Sequence, residues 1–276
     1  MAITAQDVNK LRQMTGAGMM DCKKALTESD GDFEKAIEIL RKKGQKVSAS
    51  RSDRETKEGV VVIRNNAAKT KAILIAFTCE TDFVAKNEEF VALGNKIADL
   101  TFAHSPATVD DIKNLKDGSL TLGEKIVEMV GKIGEKLEIS AYEVMEGETV
   151  VSYVHAGSKL GVLVTLKGAA GADVTEAGRD VCMQIAAMNP IALDQNSVSK
   201  EVIEKEIEIG KELARQEGKP EEMVEKIALG KLNKFFKEST LLSQTFVKDN
   251  NKTIAQYLDG VKKGLTATAF KRISIG

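Results

Sequence analysis

For nucleophilic, acid–base or metal chemistry the chain offers only two histidines, His104 and His155, and only three cysteines, Cys22, Cys79 and Cys182, beside its carboxylates, amines and hydroxyls. No serine, histidine and acid fall in the spacing of a hydrolytic triad. The cysteines are odd in number and far apart, without the paired spacing of a zinc site, and they fit a reducing compartment better than a disulfide framework. Gly157-x-x-x-Gly161 is the nearest approach to a phosphate-cradling loop. It lies in or beside a strand and lacks the Lys-Ser/Thr ending that meets phosphate and magnesium. Glu88 and Glu89 open a helix, where their charge favours the helix dipole and needs no acid–base role. His155, between a strand and a turn, reads as a satisfied structural histidine. With no enzyme signature, no metal site and no cofactor site, the chemistry favours a binding protein.

The residues that stand out are Thr81-Asp82-Phe83-Val84. Before them, residues 72–77 form an Ile-rich apolar run that reads as a strand buried on both faces. After them, Phe90, Val91, Leu93, Ile97 and Leu100 follow the 3.6-residue period of an amphipathic helix. The four residues therefore join a buried strand to a helix, and Thr81 and Asp82 both suit a helix cap. Capping does not explain Phe83 and Val84, because connections normally run over the surface. One reading is a hydrophobic staple that tucks Phe83 back onto the helix. The other is a projecting wedge, an apolar tip with a carboxylate beside it, made for another molecule's pocket.

The elements that must position this stretch are an α+β set. Residues 1–45 read as a compact three-helix module. Thr4 and Asp7 form a near capping box, Val8, Leu11 and Met14 share one face, and the glycines of Thr15-Gly16-Ala17-Gly18 break the first helix. Met19 and Met20 then either plug the small core or, for at least one, face outward as adaptable contacts. Residues 46–57, rich in Ser, Lys and Arg and without apolar period, read as a solvated linker. From Gly59 the chain states one pattern twice. The first copy has Val60-Val61-Val62-Ile63, a turn around Asn65-Asn66, the strand at 72–77 and the helix ending before Pro106. The second has Val150-Val151-Ser152-Tyr153, a turn around Ala156-Gly157-Ser158, a strand at 160–164 and a helix around 181–188 ending before Pro190. Ile73 aligns with Val162 at a spacing of 89 residues and Ile97 with Ile185 at 88. Where the first copy has residues 81–84, the second has Ala170-Gly171-Ala172-Asp173, so the apolar pair is no part of the shared scaffold.

Residues 109–116 and 122–131 read as helices, and 137–144 alternates as a half-exposed strand that completes a first subdomain, 58–145. The second, 146–276, contains an antiparallel helical hairpin at 199–237, a short coiled coil turned at Gly218-Lys219-Pro220. A closing strand near 267–275 returns to the second sheet. Strand–turn–strand–helix units of this kind predict antiparallel sheets covered by helices.

Composition sets the remaining bounds. Of 276 residues, 42% are hydrophobic and 29% charged, enough to build a core, and the absence of Trp makes that core aliphatic. A formal charge of −1 offers no concentrated basic face for nucleic acid. No apolar run approaches the ~20 residues of a membrane span. Met1-Ala2-Ile3-Thr4 lacks the regions of a signal peptide, so a cytoplasmic location is expected.

The stretch from Thr15 through Gly16, Met19 and Met20 to Leu26, the stretch Thr81-Asp82-Phe83-Val84-Ala85-Lys86, and His155-Ala156-Gly157 followed by residues 160–164 resemble the signatures of bacterial elongation factor Ts. The similarity covers almost the whole chain. The resemblance implies a guanine-nucleotide exchange factor for the translation GTPase elongation factor Tu, working without covalent chemistry or cofactor. It implies that the amino-terminal module resembles a ubiquitin-associated domain and that Arg12, Met19 and Met20 rest on the nucleotide domain of the GTPase. The 81–84 loop would enter beside the magnesium site and dislodge the ion, while the second copy, with His155 and Gly157, would meet another domain. Longer members add a helix beyond the strand that ends here at Ile275. Homodimerisation stays open. The alternative is an adaptor for RNA, through the basic linker, or for a ubiquitin-like modifier, through the three-helix head.

Overall fold

The computed structural model describes residues 3–276, and the reading made at Met1 and Ala2 lies outside the described residues. The chain opens with α1 (Ala5–Thr15), α2 (Met19–Glu28) and α3 (Phe33–Ser50). Thr4 and Asp7 form the reciprocal capping box, and Gly16 ends α1 at φ 65°, a backbone that side chains other than glycine rarely adopt. Val8, Leu11, Cys22, Ala25, Leu26 and Ala36 fill the small core. Met14, expected on the same face as Val8 and Leu11, is instead 57% exposed.

The stretch expected to be a solvated linker is different. Helix α3 runs on through Ser50, because Gly44 is a crossing point and not a stop. A Cβ at Gly44 would stand 2.9 Å from the Val127 carbonyl oxygen, and one at Gly131 would stand 2.8 Å from the Gly44 Cα. The missing side chains let α3 lie backbone against backbone on a later helix, residues 122–133. Beyond α3, Arg51 and Arg54 pair with Glu80, and the Thr56 hydroxyl donates to Glu138 at 2.6 Å. The basic segment is tied to the core.

The first sheet unit comprises β1 (Glu58–Asn65), β2 (Lys71–Cys79), the single turn α4 (Asp82–Ala85), α5 (Glu88–His104) and α6 (Val109–Asn114). A two-residue ribbon of β3 (Lys116–Asp117) and β4 (Leu120–Thr121) follows, then α7 (Leu122–Ile133) and β5 (Leu137–Glu146). The second unit comprises β6 (Thr149–Val154), β7 (Leu160–Lys167), α8 (Thr175–Met188), α9 (Lys200–Gln216), α10 (Glu221–Ser239), β8 (Thr245–Phe246), β9 (Asp249–Thr253), α11 (Ile254–Val261) and β10 (Thr266–Ser274). The small β8–β9 hairpin is absent from the sequence reading. Each unit has an antiparallel three-stranded sheet, ordered β1-β2-β5 and β10-β7-β6. The repeat thus extends to a third strand that returns beside the second, and the closing strand pairs with β7 as expected.

Alternation along the strands decides the layers. Ile73, Ile75 and Phe77 of β2 face the helices of the first unit, with Phe90 and Ile97 of α5. Ala72, Leu74 and Ala76 face the other way, onto Val150, Leu163 and Ile275 of the second unit. Val162, Val164 and Leu166 of β7 in turn face Val181 and Ile185 of α8 and Leu258 of α11. The aligned pairs Ile73/Val162 and Ile97/Ile185 therefore hold matching places. The two sheets stack within a helix–sheet–sheet–helix arrangement, and Gly161 sets how closely they approach. A Cβ there would stand 2.5 Å from Val61 Cγ1 and 3.1 Å from Leu74 Cδ1. In the helical hairpin, Gly210 lies likewise on Ala228, whose Cα would be 3.0 Å from an added Cβ.

Gly161→Ala overpacks the sheet–sheet contact and is expected to lower stability by about 1–3 kcal/mol, read as a fall in the urea midpoint with an unchanged slope. An unchanged midpoint would mean that the sheets move apart without cost.

Candidate partner-binding site

Strand β2 ends at Cys79, and the chain leaves it through two carboxylate contacts. The Glu80 side chain accepts from the Lys136 backbone N–H at 2.7 Å, from Arg51 Nη1 at 2.9 Å and from Arg54 Nη1 at 3.3 Å. Burial pushes the Glu80 carboxyl upward, but the Lys136 N–H and the two guanidinium groups outweigh it and hold the group below its usual value of 4.5. Thr81 follows in extended conformation. Its N–H donates to Glu135 Oε2 at 3.0 Å and its hydroxyl to Oε1 of the same carboxylate at 2.6 Å. Neither Thr81 nor Asp82 caps the long helix. Asn87 does, accepting from the N–H groups of Glu89 and Phe90.

The expected apolar pair separates. In the turn Asp82–Ala85 consecutive side chains point about 100° apart. Val84 is 8% exposed and joins the first core, whereas Phe83 is 83% exposed. The staple reading of Phe83 fails, and so does the expectation that Val84 is part of a tip. Beside Phe83, the Asp82 carboxylate pairs with Lys86 at 2.7 Å, a contact that holds it below the usual aspartate range and ionised at neutral pH.

On the head, Met19 and Met20 are 52% and 64% exposed, so neither plugs the core. Arg12 is also exposed and has no carboxylate within ion-pairing distance among the described residues. With Met14, these residues surround the turn at 15–18. Met14 was missed by sequence reading because it continues the period of Val8 and Leu11, although it lies one residue before the chain turns. In the second unit, His155 is exposed. Its Nδ1 lies 2.8 Å from the Tyr153 hydroxyl. Gly157 sits at φ 90° with nothing within 4 Å of an added Cβ, so the turn needs glycine for its backbone and not for space.

Contacts around the end of β2 join the segments that carry the three groups. The Lys132 side chain, near the end of α7, lies against Gly16 of the head and pairs with Glu89 at the start of α5. Three residues on, Glu135 holds Thr81. From the other side, the Ser158 carbonyl accepts the Val61 N–H at 2.6 Å. Lys159 pairs at 2.6 Å with Glu58, which stands opposite Cys79 in the β1–β2 register. The residues that hold this end together, Arg51, Arg54, Lys132 and Glu135, were not singled out from sequence, because their contacts span many positions of chain. Cys79 and Cys182 are buried. Burial, with the nearby Glu135 and Glu58 carboxylates, pushes the Cys79 thiol up to about 12, and burial alone pushes Cys182 up. Neither is a reactive thiolate at neutral pH. Among the described residues, no His/Cys/Asp/Glu group could hold a metal ion, and no helix is long and apolar enough to cross a membrane.

One exposed aromatic on a fixed turn, exposed methionines on the head and an exposed turn in the second unit leave surface that another macromolecule could cover. Comparison with known proteins gives the family. The family described as Elongation factor TS matches residues 80–276. The chain is 57% identical to elongation factor Ts of Amoebophilus asiaticus over 276 residues, all of both chains. It is 58% identical to elongation factor Ts of Cytophaga hutchinsonii over 275 residues, 99% of each chain. Elongation factor Ts of Christiangramia forsetii is 48% identical over 275 residues, again 99% of each. The chain belongs to the elongation factor Ts family.

The Glu80 contacts generate a pH test. Because its folded-state value is lowered, Glu80 contributes stability that is present above about pH 4.5 and is lost as pH falls through the folded value. Glu80→Gln is expected to cost about 1–3 kcal/mol at pH 7. The gap to the unsubstituted chain should narrow as pH falls below 4.5 and through the folded value, as followed by urea denaturation at each pH. A gap independent of pH would mean that shape, and not charge, holds this corner.

Proposed function

We propose that this chain is a guanine-nucleotide exchange factor that binds elongation factor Tu carrying GDP. The loop at 81–84 disturbs the Mg²⁺/phosphate site, GDP leaves, and GTP rebinds. The observation that carries this reading is Phe83, a large apolar side chain standing in water on a turn whose neighbours on both sides are fixed. Phe83 is the wedge and Asp82 the carboxylate beside it, while Val84 and Thr81 seat the turn. Arg12, Met19 and Met20, joined by Met14, form one docking patch on the GTPase, and the His155–Gly157 turn forms another. In this reading residues 1–45 are a ubiquitin-associated-like domain, 58–145 and 146–276 are two related subdomains, and the hairpin at 199–237 is peripheral to exchange.

A GTPase holds its nucleotide through backbone amides, a lysine and a bridging Mg²⁺ that offsets the phosphate charge. An exchange factor must bind best when that cage is distorted, and linkage makes the weakening of nucleotide and factor mutual. Burying Phe83 contributes at most about 3 kcal/mol. Speeding release by about 10⁴-fold takes a barrier about 5.5 kcal/mol lower. The wedge therefore needs anchors on both sides, which is the role given to the head and to the second-unit turn.

Phe83→Ala should leave stability nearly unchanged, since the side chain is outside the core. It should slow release of labelled GDP from Tu by about ten- to a hundred-fold, equivalent to about 1.4–2.7 kcal/mol in the barrier. Asp82→Ala should also slow release, by a factor that shrinks when Mg²⁺ is chelated. Denaturation and stopped-flow release on the same Phe83→Ala preparation decide the matter: undiminished exchange would sink the wedge.

A further inference from the structure

We infer that Glu135 is a positioning residue for the exchange loop, and that α7, which leads into it, fastens that loop and the head to one rigid element. This deepens the proposed exchange function and rests on it.

The first ground is how Thr81 spends its hydrogen bonds. Thr4, Thr108, Thr121 and Thr253 each precede a helix, and each hydroxyl accepts a backbone N–H of that helix in a capping box. Thr81 also precedes a helical turn, yet its hydroxyl caps nothing. Both of its donors, N–H and O–H, go to the two oxygens of Glu135, 54 residues further along the chain. A local cap is worth about 1 kcal/mol. Here the hydroxyl makes a distant contact that fixes the one residue at which β2 becomes the wedge-bearing turn. Departures from local preference of this kind are expected where function makes its own demand.

The second ground is the pairing of adjacent residues. Glu135 holds Thr81 and the Lys136 N–H holds Glu80, so two successive positions of one segment grip two successive positions of the other. Gly134, at φ 82°, ends α7 and turns the chain into this grip. The third ground is what else α7 carries. Gly131 lies on Gly44 of the head, Glu128 pairs with Arg41 at 2.8 Å, and Lys132 lies between Gly16 and Glu89. A docked head therefore sets the orientation of α7, and α7 sets that of Thr81. Phe83 reaches the partner already aimed, which reduces the ordering cost of association.

The test uses the full chain with Tu and labelled GDP, together with amide hydrogen exchange on the chain alone. Glu135→Gln removes the charge from both bonds and makes the Thr81 hydroxyl accept from an NH₂ where it had donated to a carboxylate, and Thr81→Val removes the hydroxyl bond while preserving shape. In each variant, amides 82–86 should exchange faster although the melting temperature moves little. The release rate at saturating chain should fall about tenfold, with the half-saturating concentration changed less than about threefold, because the docking patches are intact. The double variant should be slowed by less than the product of the two single effects, since the two changes share the hydroxyl contact. Should Glu135→Gln fail to fold, Thr81→Val carries the test. Unchanged amide exchange at 82–86, a full release rate, or strictly additive effects would each overturn the inference. Phe83→Ala, measured alongside, separates the two levels. If that variant exchanges normally, the exchange reading itself fails; if it is slow while Glu135→Gln and Thr81→Val are not, only the positioning role fails.

Discussion

Strand β2 is buried on both faces, and that constraint reaches every other part of the molecule. Ile73, Ile75 and Phe77 need a layer on one side, and Ala72, Leu74 and Ala76 need one on the other. A backbone enclosed in this way must have all its N–H and C=O groups paired, so β2 has to be central, between β1 and β5. The second sheet then serves as a lid, seated closely because Gly161 has no side chain to hold it off Val61 and Leu74. A strand so enclosed has little freedom, and the point where it ends, Cys79, is a fixed origin. The wedge-bearing turn starts three residues later, at Asp82.

The surroundings of that origin use charge where the interior uses packing. Glu80 collects two guanidinium groups from the segment after α3 and an amide from the segment after α7. Thr81 is held by Glu135, and the start of β1 by Lys159 of the second unit. Each contact joins parts of the chain that are distant in sequence. Charge-assisted hydrogen bonds of this kind are directional, and they fix orientation more sharply than apolar contact does. The head, the loop and the second-unit turn are thus referred to one another by the contacts around the end of β2.

Much of this architecture is legible from sequence, for identifiable reasons. The run at 72–77 announces a doubly buried strand because it has no polar interruption, and the repeat is visible because Ile73/Val162 and Ile97/Ile185 serve the same layers. The helical hairpin follows from its apolar stripe and its Gly218–Pro220 turn. Local signals misled where a residue's partner was distant. Gly44 looks like a helix stop until Gly131 is set against it, and Arg51 and Arg54 look solvated until Glu80 is beside them. Thr81 looks like a cap until Glu135 takes its hydroxyl. Asn87 could have been found, since Asn before Glu88-Glu89 is a strong helix start, but Thr81 and Asp82 offered the same signal earlier in the chain. At Phe83 periodicity does not distinguish a staple from a wedge, and the sequence signal that favours the wedge is the absence of an apolar pair at the matching place in the second copy, Ala170-Gly171-Ala172-Asp173.

The two units show what the carboxylate contacts accomplish. In the second, the connection from β7 to α8 is also gripped by an acid: Glu148 accepts the N–H groups of Gly168, Ala169 and Ala170. Lys262 donates to the carbonyls of Ala169 and Ala170. That connection displays Ala170, Gly171, Ala172 and Asp173, none of them a large apolar side chain, while its counterpart displays Phe83. In both, polar contacts and one buried valine, Val84 or Val174, supply the attachment, so the side chain at the tip owes nothing to the fold. Had the first connection been seated by its aromatic group, Phe83 would lie in the core beside Val84 and be unavailable to a partner. Holding the turn through Glu80 and Glu135 leaves the tip free to be apolar, and the same scaffold can carry a wedge in one copy and none in the other.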